Sequence, residues 1–448
     1  MKIFYFILTL MILSCKNDKL QVTTLKNGMK VATYYLPEKN SVGIFLQVYT
    51  GALNENKENN GVAHFLEHLA FQGTSKRTSE QLWKEMSDKG GYMNAHTDYT
   101  EIAYKIKVLK DDLDFGIDVM SDIIQNPLFE EKSIEKERGV ILQEILTYED
   151  NQNYLFEDIS RKAVYKNTPL ELKVGGEIET VKQINKQQIL DFFRTYYFGE
   201  NMILSVSGNV KHKDVVKMAE KYFNKIESRG QKTSFPVIKY NSEGGLVKQY
   251  KDNNKVLFGL LFKGVSVYDE KRHDIQIILD ILCNGMSSRL YSELRQKRGL
   301  VYGIGCTSRN GMNEGIISLS FSTTSENLVQ AYDTTIEELI KFRSSLTENE
   351  VNEAVYKYKV YFLMSKESDS TLGRASSVAS SLLFLDRYYD YDDSLQQIQS
   401  VNFKSVLSTF DYIIEKAKTE KPFIAIYGKY DEKKVPDYSK LNTLWSNK

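Results

Sequence analysis

The chain predicts an α+β fold of two related domains, and three observations predict it. Its 448 residues exceed what one ordinary hydrophobic core organises. Strand-like and helix-like apolar patterns come in runs, without the regular strand–helix alternation of a doubly wound parallel sheet. The two halves also echo each other weakly. NMILSVSGNVKHKDVVKMAEKYF at 201–223 has a counterpart in KPFIAIYGKYDEKKV at 421–435, each an apolar strand ending in glycine and a charged segment. KVATYYLPEKNSVGIFLQVYTGA near the start has one in VKQYKDNNKVLFGLLFKGVSV at 247–267, both hairpin-like strand pairs. A repeat of half the chain means two related domains. The boundary falls near 226–242, where the sequence is polar and turn-rich, so the expected domains are 15–228 and 240–448.

The first element is a leader. MKIFYFILTLMILSC carries a lysine and then about a dozen apolar residues, too few to span a bilayer and suited to a signal peptide over 1–14. Ile12-Leu13-Ser14-Cys15 resembles a bacterial lipobox, which implies an exported protein, periplasmic or anchored to the outer membrane through a lipid on Cys15. Any membrane attachment is expected through that lipid alone, since no later apolar stretch is long enough to cross. Basic and acidic residues balance at 59 each, which offers nothing to nucleic acid. Cys283 and Cys306 are expected as buried free thiols.

After the first strand pair, the run GVAHFLEHLAFQGTSKRTS holds His64-Phe65-Leu66-Glu67-His68. On a helix, His64 and His68 lie one turn apart on one face and can reach a single zinc ion. Glu67 points to nearly the same side, placed to take a proton from water at the metal. Val62, Phe65, Leu66, Leu69 and Phe71 are the apolar face that seats this helix on a core. A catalytic zinc takes a third protein ligand, and the next long helix, over 130–150 with apolar Ile134, Val140, Ile141 and Ile145, offers six glutamates: Glu130, Glu131, Glu135, Glu137, Glu144 and Glu149. Spacing alone does not choose among them.

His-x-x-Glu-His followed by ERGVILQE resembles the pitrilysin/insulinase family of zinc peptidases, the inverzincins. The resemblance implies one zinc per chain held by His64, His68 and Glu144, Glu67 as general base, and Glu137 as an acid supporting catalysis from behind the ligands. DKGGYMNAHTDYTEIAYKI at 88–106 resembles the family's strand beside the metal, whose alternating tail fits an edge strand. Asn94 and Ala95 are therefore candidate substrate contacts, while His96 is taken as structural. SSRLYSELRQKRGLVYGIG at 287–305 resembles the signature of the family's carboxyl-side domain. There the resemblance assigns Arg295 and Tyr302 to gripping substrate and steadying the oxyanion, with Arg298 a further contact. The helix of the second half that corresponds to the metal helix, DIQIILDILCNGMSSRL, has no such motif.

The resemblance sharpens the fold to two similar domains, each a mainly antiparallel sheet covered by helices. It implies a zinc-dependent endopeptidase acting on peptides or unfolded segments inside a chamber closed by two such chains. The expected partner is a second copy, or alternatively a zinc-less relative. A peptide-holding subunit without catalysis is the competing reading, and degenerate metal residues would be its mark.

Overall fold

The computed structural model describes residues 19–367 and 370–446, so the expected leader and Cys15 lie outside the described residues. The amino-terminal half opens with strands β1 (Leu20–Thr24), β2 (Lys30–Tyr35) and β3 (Ser41–Val48), then helices α1 (Val62–Leu69) and α2 (Ser79–Asp88). Strands β4 (Tyr92–Thr97) and β5 (Ile102–Leu109) follow, then α3 (Leu113–Gln125), α4 (Glu131–Glu149), α5 (Gln152–Val164), α6 (Ile178–Gln183) and α7 (Lys186–Tyr196). Strand β6 (Met202–Gly208) and α8 (His212–Tyr222) complete it.

The carboxyl-terminal half comprises β7 (Gly245–Tyr250), β8 (Val256–Lys263), α9 (Lys271–Leu282), a π-helical segment Tyr291–Lys297, β9 (Val301–Asn310) and β10 (Gly315–Thr323). It continues through α10 (Leu328–Ser345), α11 (Glu348–Glu367), α12 (Thr371–Phe384), α13 (Tyr391–Ser400), α14 (Phe403–Thr419), β11 (Phe423–Gly428) and α15 (Thr443–Ser446).

The sheets run β1-β2-β6-β3-β5-β4 and β7-β11-β8-β10-β9, so without β1 the two orders are the same. Each is mainly antiparallel, with one parallel pair, β2 to β6 and β7 to β11. This corrects the hairpin expectation. β2 and β3 are not neighbours, nor are β7 and β8, because the last strand of each half inserts between them. Both inserted strands are buried at every residue, and a strand apolar on both faces is most stable in the middle of a sheet.

One face of the first sheet carries the main core of its half, built with α1, α3, α4, α7 and α8 around Ile44, Leu46, Phe65, Ile106 and Ile141. Its other face is covered by α12 from the carboxyl half, whose Ala375, Val378, Ala379 and Leu383 pack on Ala32, Phe45, Ala103 and Ile203. The exchange is reciprocal. Phe156, Val164 and Tyr165, from α5 and the residue after it, pack against Leu261, Phe423 and Ala425 of the second sheet. Phe235, from the irregular connection between the halves, touches both of these layers.

Two smaller expectations are also corrected. Val140 is 44% exposed, because Ile134, Ile141 and Ile145 define the buried stripe of α4 and Val140 lies about 100° off it. Cys283 and Cys306 are joined as a disulfide, with Cα atoms 5.6 Å apart. The end of α9 rests on the core face of β9, which brings two buried cysteines together across 23 residues.

Candidate metal centre

Helix α1 starts at Gly61, whose φ of +99° suits only glycine, and a Cβ there would sit 3.0 Å from Cα of Gly176. Val62, Phe65, Leu66 and Leu69 are buried, and they fix the helix on the sheet so that His64 and His68 share its remaining side. Their rings meet edge to face with centroids 4.7 Å apart.

Helix α4 packs against α1 and delivers Glu144 between the imidazoles. Glu144 Oε2 is 3.8 Å from His64 Nε2 and 3.6 Å from His68 Nε2, and the three ligand atoms lie within 4.8 Å of one another. Ligand arms of about 2.0 Å in a tetrahedron put neighbouring donors about 3.3 Å apart, so two nitrogens and one carboxylate oxygen fit zinc with little adjustment. This donor set suits zinc also in kind, being borderline-soft imidazole with a single carboxylate.

The surrounding groups orient the ligands. His68 Nδ1 donates to Glu137 Oε2 at 3.0 Å, so that in the neutral ring the lone pair falls on Nε2, on the Glu144 side. Glu137 itself is buried on α4, two turns before Glu144. Burial alone would lower the His68 pKa, but the Glu137 and Glu144 carboxylates outweigh it and push the metal-free imidazole up to about 9. His68 in turn holds the Glu144 carboxyl below its ordinary range. His64 is governed by burial, which lowers its pKa, and its Nδ1 is buried without a hydrogen-bond partner.

Glu67 is only 9% exposed, and its Oε2 accepts from Thr97 Oγ1 at 2.7 Å. Thr97, at the end of β4, was not legible in the sequence, because nothing in a strand pattern says which residue meets a helix packed over it. The same holds for Tyr148, one turn along α4, which helps to lower the Glu144 pKa and whose ring stacks on Tyr154 at 5.0 Å. Spacing of four from Glu144 was its one available signal.

β4 is the edge strand of the first sheet, so its outer backbone is open to an added strand. Asn94 is exposed there and donates to the Tyr92 hydroxyl at 3.0 Å, whereas Ala95 is buried, so its side chain is turned to the core. His96 bonds Glu101 at 2.8 Å. Arg295 and Tyr302 belong to the other half, on the π-helical segment and β9. Arg295 donates to the Val301 carbonyl at 2.8 Å, Tyr302 is 58% exposed, and Arg298 is 3.6 Å from Glu293. The π-helical segment packs on β9 and α10, while α1 packs on α4, α7 and β4. The two parts of the expected site therefore rest on separate supports.

A helix-borne His-x-x-Glu-His with a carboxylate from a second helix, on paired sheet-and-helix halves, defines a metallopeptidase-type centre. The amino-terminal half matches the insulinase (peptidase family M16) model over residues 30–177, and residues 183–358 match the peptidase M16 inactive domain. The chain is 30% identical over 415 residues to an uncharacterized zinc protease of Rickettsia felis, covering 92% of this chain and 98% of that protein. It is 38% identical over 221 residues to the mitochondrial-processing peptidase subunit beta of Caenorhabditis elegans, covering 49% of this chain and 48% of the relative. A protease from Helicobacter pylori has the same fold, with a TM-score of 0.83 at 20% identity over 92% of this chain and 99% of that one. The chain belongs to the insulinase family of peptidases, a zinc-protease family.

Proposed function

We propose that the chain is a zinc-dependent endopeptidase that hydrolyses peptides or unfolded protein segments. The convergence of His64, His68 and Glu144 beside a buried Glu67 carries this reading. A zinc ion held by these three residues supplies Lewis acidity towards water and the scissile carbonyl. Thr97 holds the Glu67 carboxylate through Oε2, and that carboxylate is the base that takes the proton from water and passes it to the leaving amine. Glu137 keeps His68 in the tautomer that faces the metal, and the open edge of β4 aligns an extended substrate by backbone hydrogen bonds. Arg295 and Tyr302 meet the oxyanion from a carboxyl-terminal half. Their separate support from α1 favours a partner copy as the source, which makes a homodimer the working form.

Incubation of the purified protein with a mixed peptide library tests the reading. Cleavage that a chelator stops and zinc restores is the expected result, and a chain that binds peptides without cutting them would instead be a peptide-holding subunit. For export, we propose acylation at Cys15. Cys15→Ala should release the protein from membranes, and unchanged partitioning would rule the anchor out.

A further inference from the structure

The metal helix has no cap of its own. Its N-cap residue is Gly61, which brings no side chain, yet its first turn is buried and its free N–H groups need acceptors. They find one in a residue outside the helix. The Glu55 carboxylate accepts from Gly61 N through Oε2 and from Ala63 N through Oε1, each at 2.8 Å. Oε2 also accepts from Asn60 Nδ2 at 2.9 Å, and the same amide donates to the Lys173 carbonyl at 2.8 Å. That carbonyl begins the turn leading to Gly175 and Gly176, where a Cβ on Gly175 would lie 3.7 Å from Nδ1 of His64.

We infer that Glu55 is a positioning residue for the metal centre, a remote carboxylate cap that fixes the start of α1 and ties it to the segment closing behind His64. The inference rests on the zinc-binding reading above. His64 is the third residue of the helix, so any fraying of the first turn moves a ligand directly, while His68 and Glu67 are held by Glu137 and Thr97. Anionic charge at a helix amino terminus is also favourable to the helix dipole. Glu55 is 4% exposed, and burial pushes its pKa up to about 7 against the pull of its three donors. The second half differs: the first N–H of α9, at Lys271, is taken at 2.9 Å by Asp269, a partly exposed acid only two residues away, and the helix holds no member of the metal cluster.

Glu55→Gln is the test, because either orientation of its amide sets an NH2 against an N–H donor. Zinc affinity is read by competition with a chromophoric chelator, beside the thermal midpoint of the metal-free chain. The expected result is a zinc dissociation constant raised about 10- to 100-fold, with excess zinc recovering most of the hydrolysis. Thr78→Ala removes the side-chain cap of α2, away from the metal, and should lower the midpoint without changing zinc affinity. Glu55→Asp keeps the charge but shortens the reach, and it serves if the glutamine variant does not fold. An Asp or Gln variant that folds and binds zinc as tightly as the wild type overturns the proposal. A wild-type chain that binds no zinc would overturn the metal reading itself, which is a different failure.

Discussion

The two halves share a strand order and differ in chemistry. In the first, α1 presents two imidazoles and a carboxylate on the side away from its core. In the second, α9 occupies the corresponding place between the second and third strands of its half. Its Ile275, Ile277, Ile278, Leu279, Ile281 and Leu282 are all buried, and its one buried acid, Asp274, is bonded to Ser405 and Thr409. One architecture thus carries a candidate metal centre in one half and plain packing in the other. A fold of this kind supplies the platform, and a few side chains on one helix decide what is done on it.

Removing those side chains should make the first half resemble the second. The largest effect is expected for Glu67→Gln, which keeps the metal ligands and loses the base. Hydrolysis should fall by about 10²–10⁴-fold or more at unchanged zinc content, and undiminished turnover would strip Glu67 of its role. Glu144→Gln should come next, with loss of bound zinc measured by elemental analysis. Full occupancy would point instead to Glu137 as the ligand.

The disulfide marks the second half, and its loss should act there. Reduction, or Cys283→Ala with Cys306→Ala, should cost about 3 kcal/mol of stability, read by denaturant unfolding. The closed loop contains both Arg295 and Tyr302, so peptide affinity should weaken as well. Equal stability with and without reductant would return the cysteines to free thiols.

The exchanged helices permit a finer comparison. A Cβ on Gly43 of β3 would meet the backbone at Thr371 and Leu372, at the start of α12, at 2.5 Å, whereas one on Gly259 of β8 would meet the Phe156 ring of α5 at 2.7 Å. Gly43→Ala should therefore destabilise more, by about 1–3 kcal/mol, since a ring can turn aside and a helix backbone cannot. Equal effects in thermal unfolding would break the distinction.

The first half should also respond to pH. The metal-free His68 imidazole, raised from 6.5 to about 9, binds its proton more tightly folded than unfolded. Its stabilisation is fully present below pH 6.5 and is lost as pH rises through about 9. Zinc must displace the same proton, so zinc affinity should climb with pH up to about 9 and then level. Calorimetry in buffers of different ionisation enthalpy should count one proton released per zinc at neutral pH.

The sequence by itself determined the grouping of His64, Glu67 and His68, the repeat of the halves and the absence of a His-x-x-Glu-His motif from the second. These are local patterns: residues four apart on a helix face the same way wherever the helix lies, and strand and helix runs keep their order in any packing. Tertiary structure decided the rest. It selected Glu144 from six glutamates by packing α4 on α1, and turned Glu135 to Arg138 and Glu149 to Lys173 instead. It brought Thr97 to Glu67, Glu55 to the foot of the metal helix and Cys283 to Cys306, and it laid α5 and α12 on each other's sheets. Each of those contacts joins segments whose separation along the chain says nothing of their distance in space, which only the packing of a shared core settles.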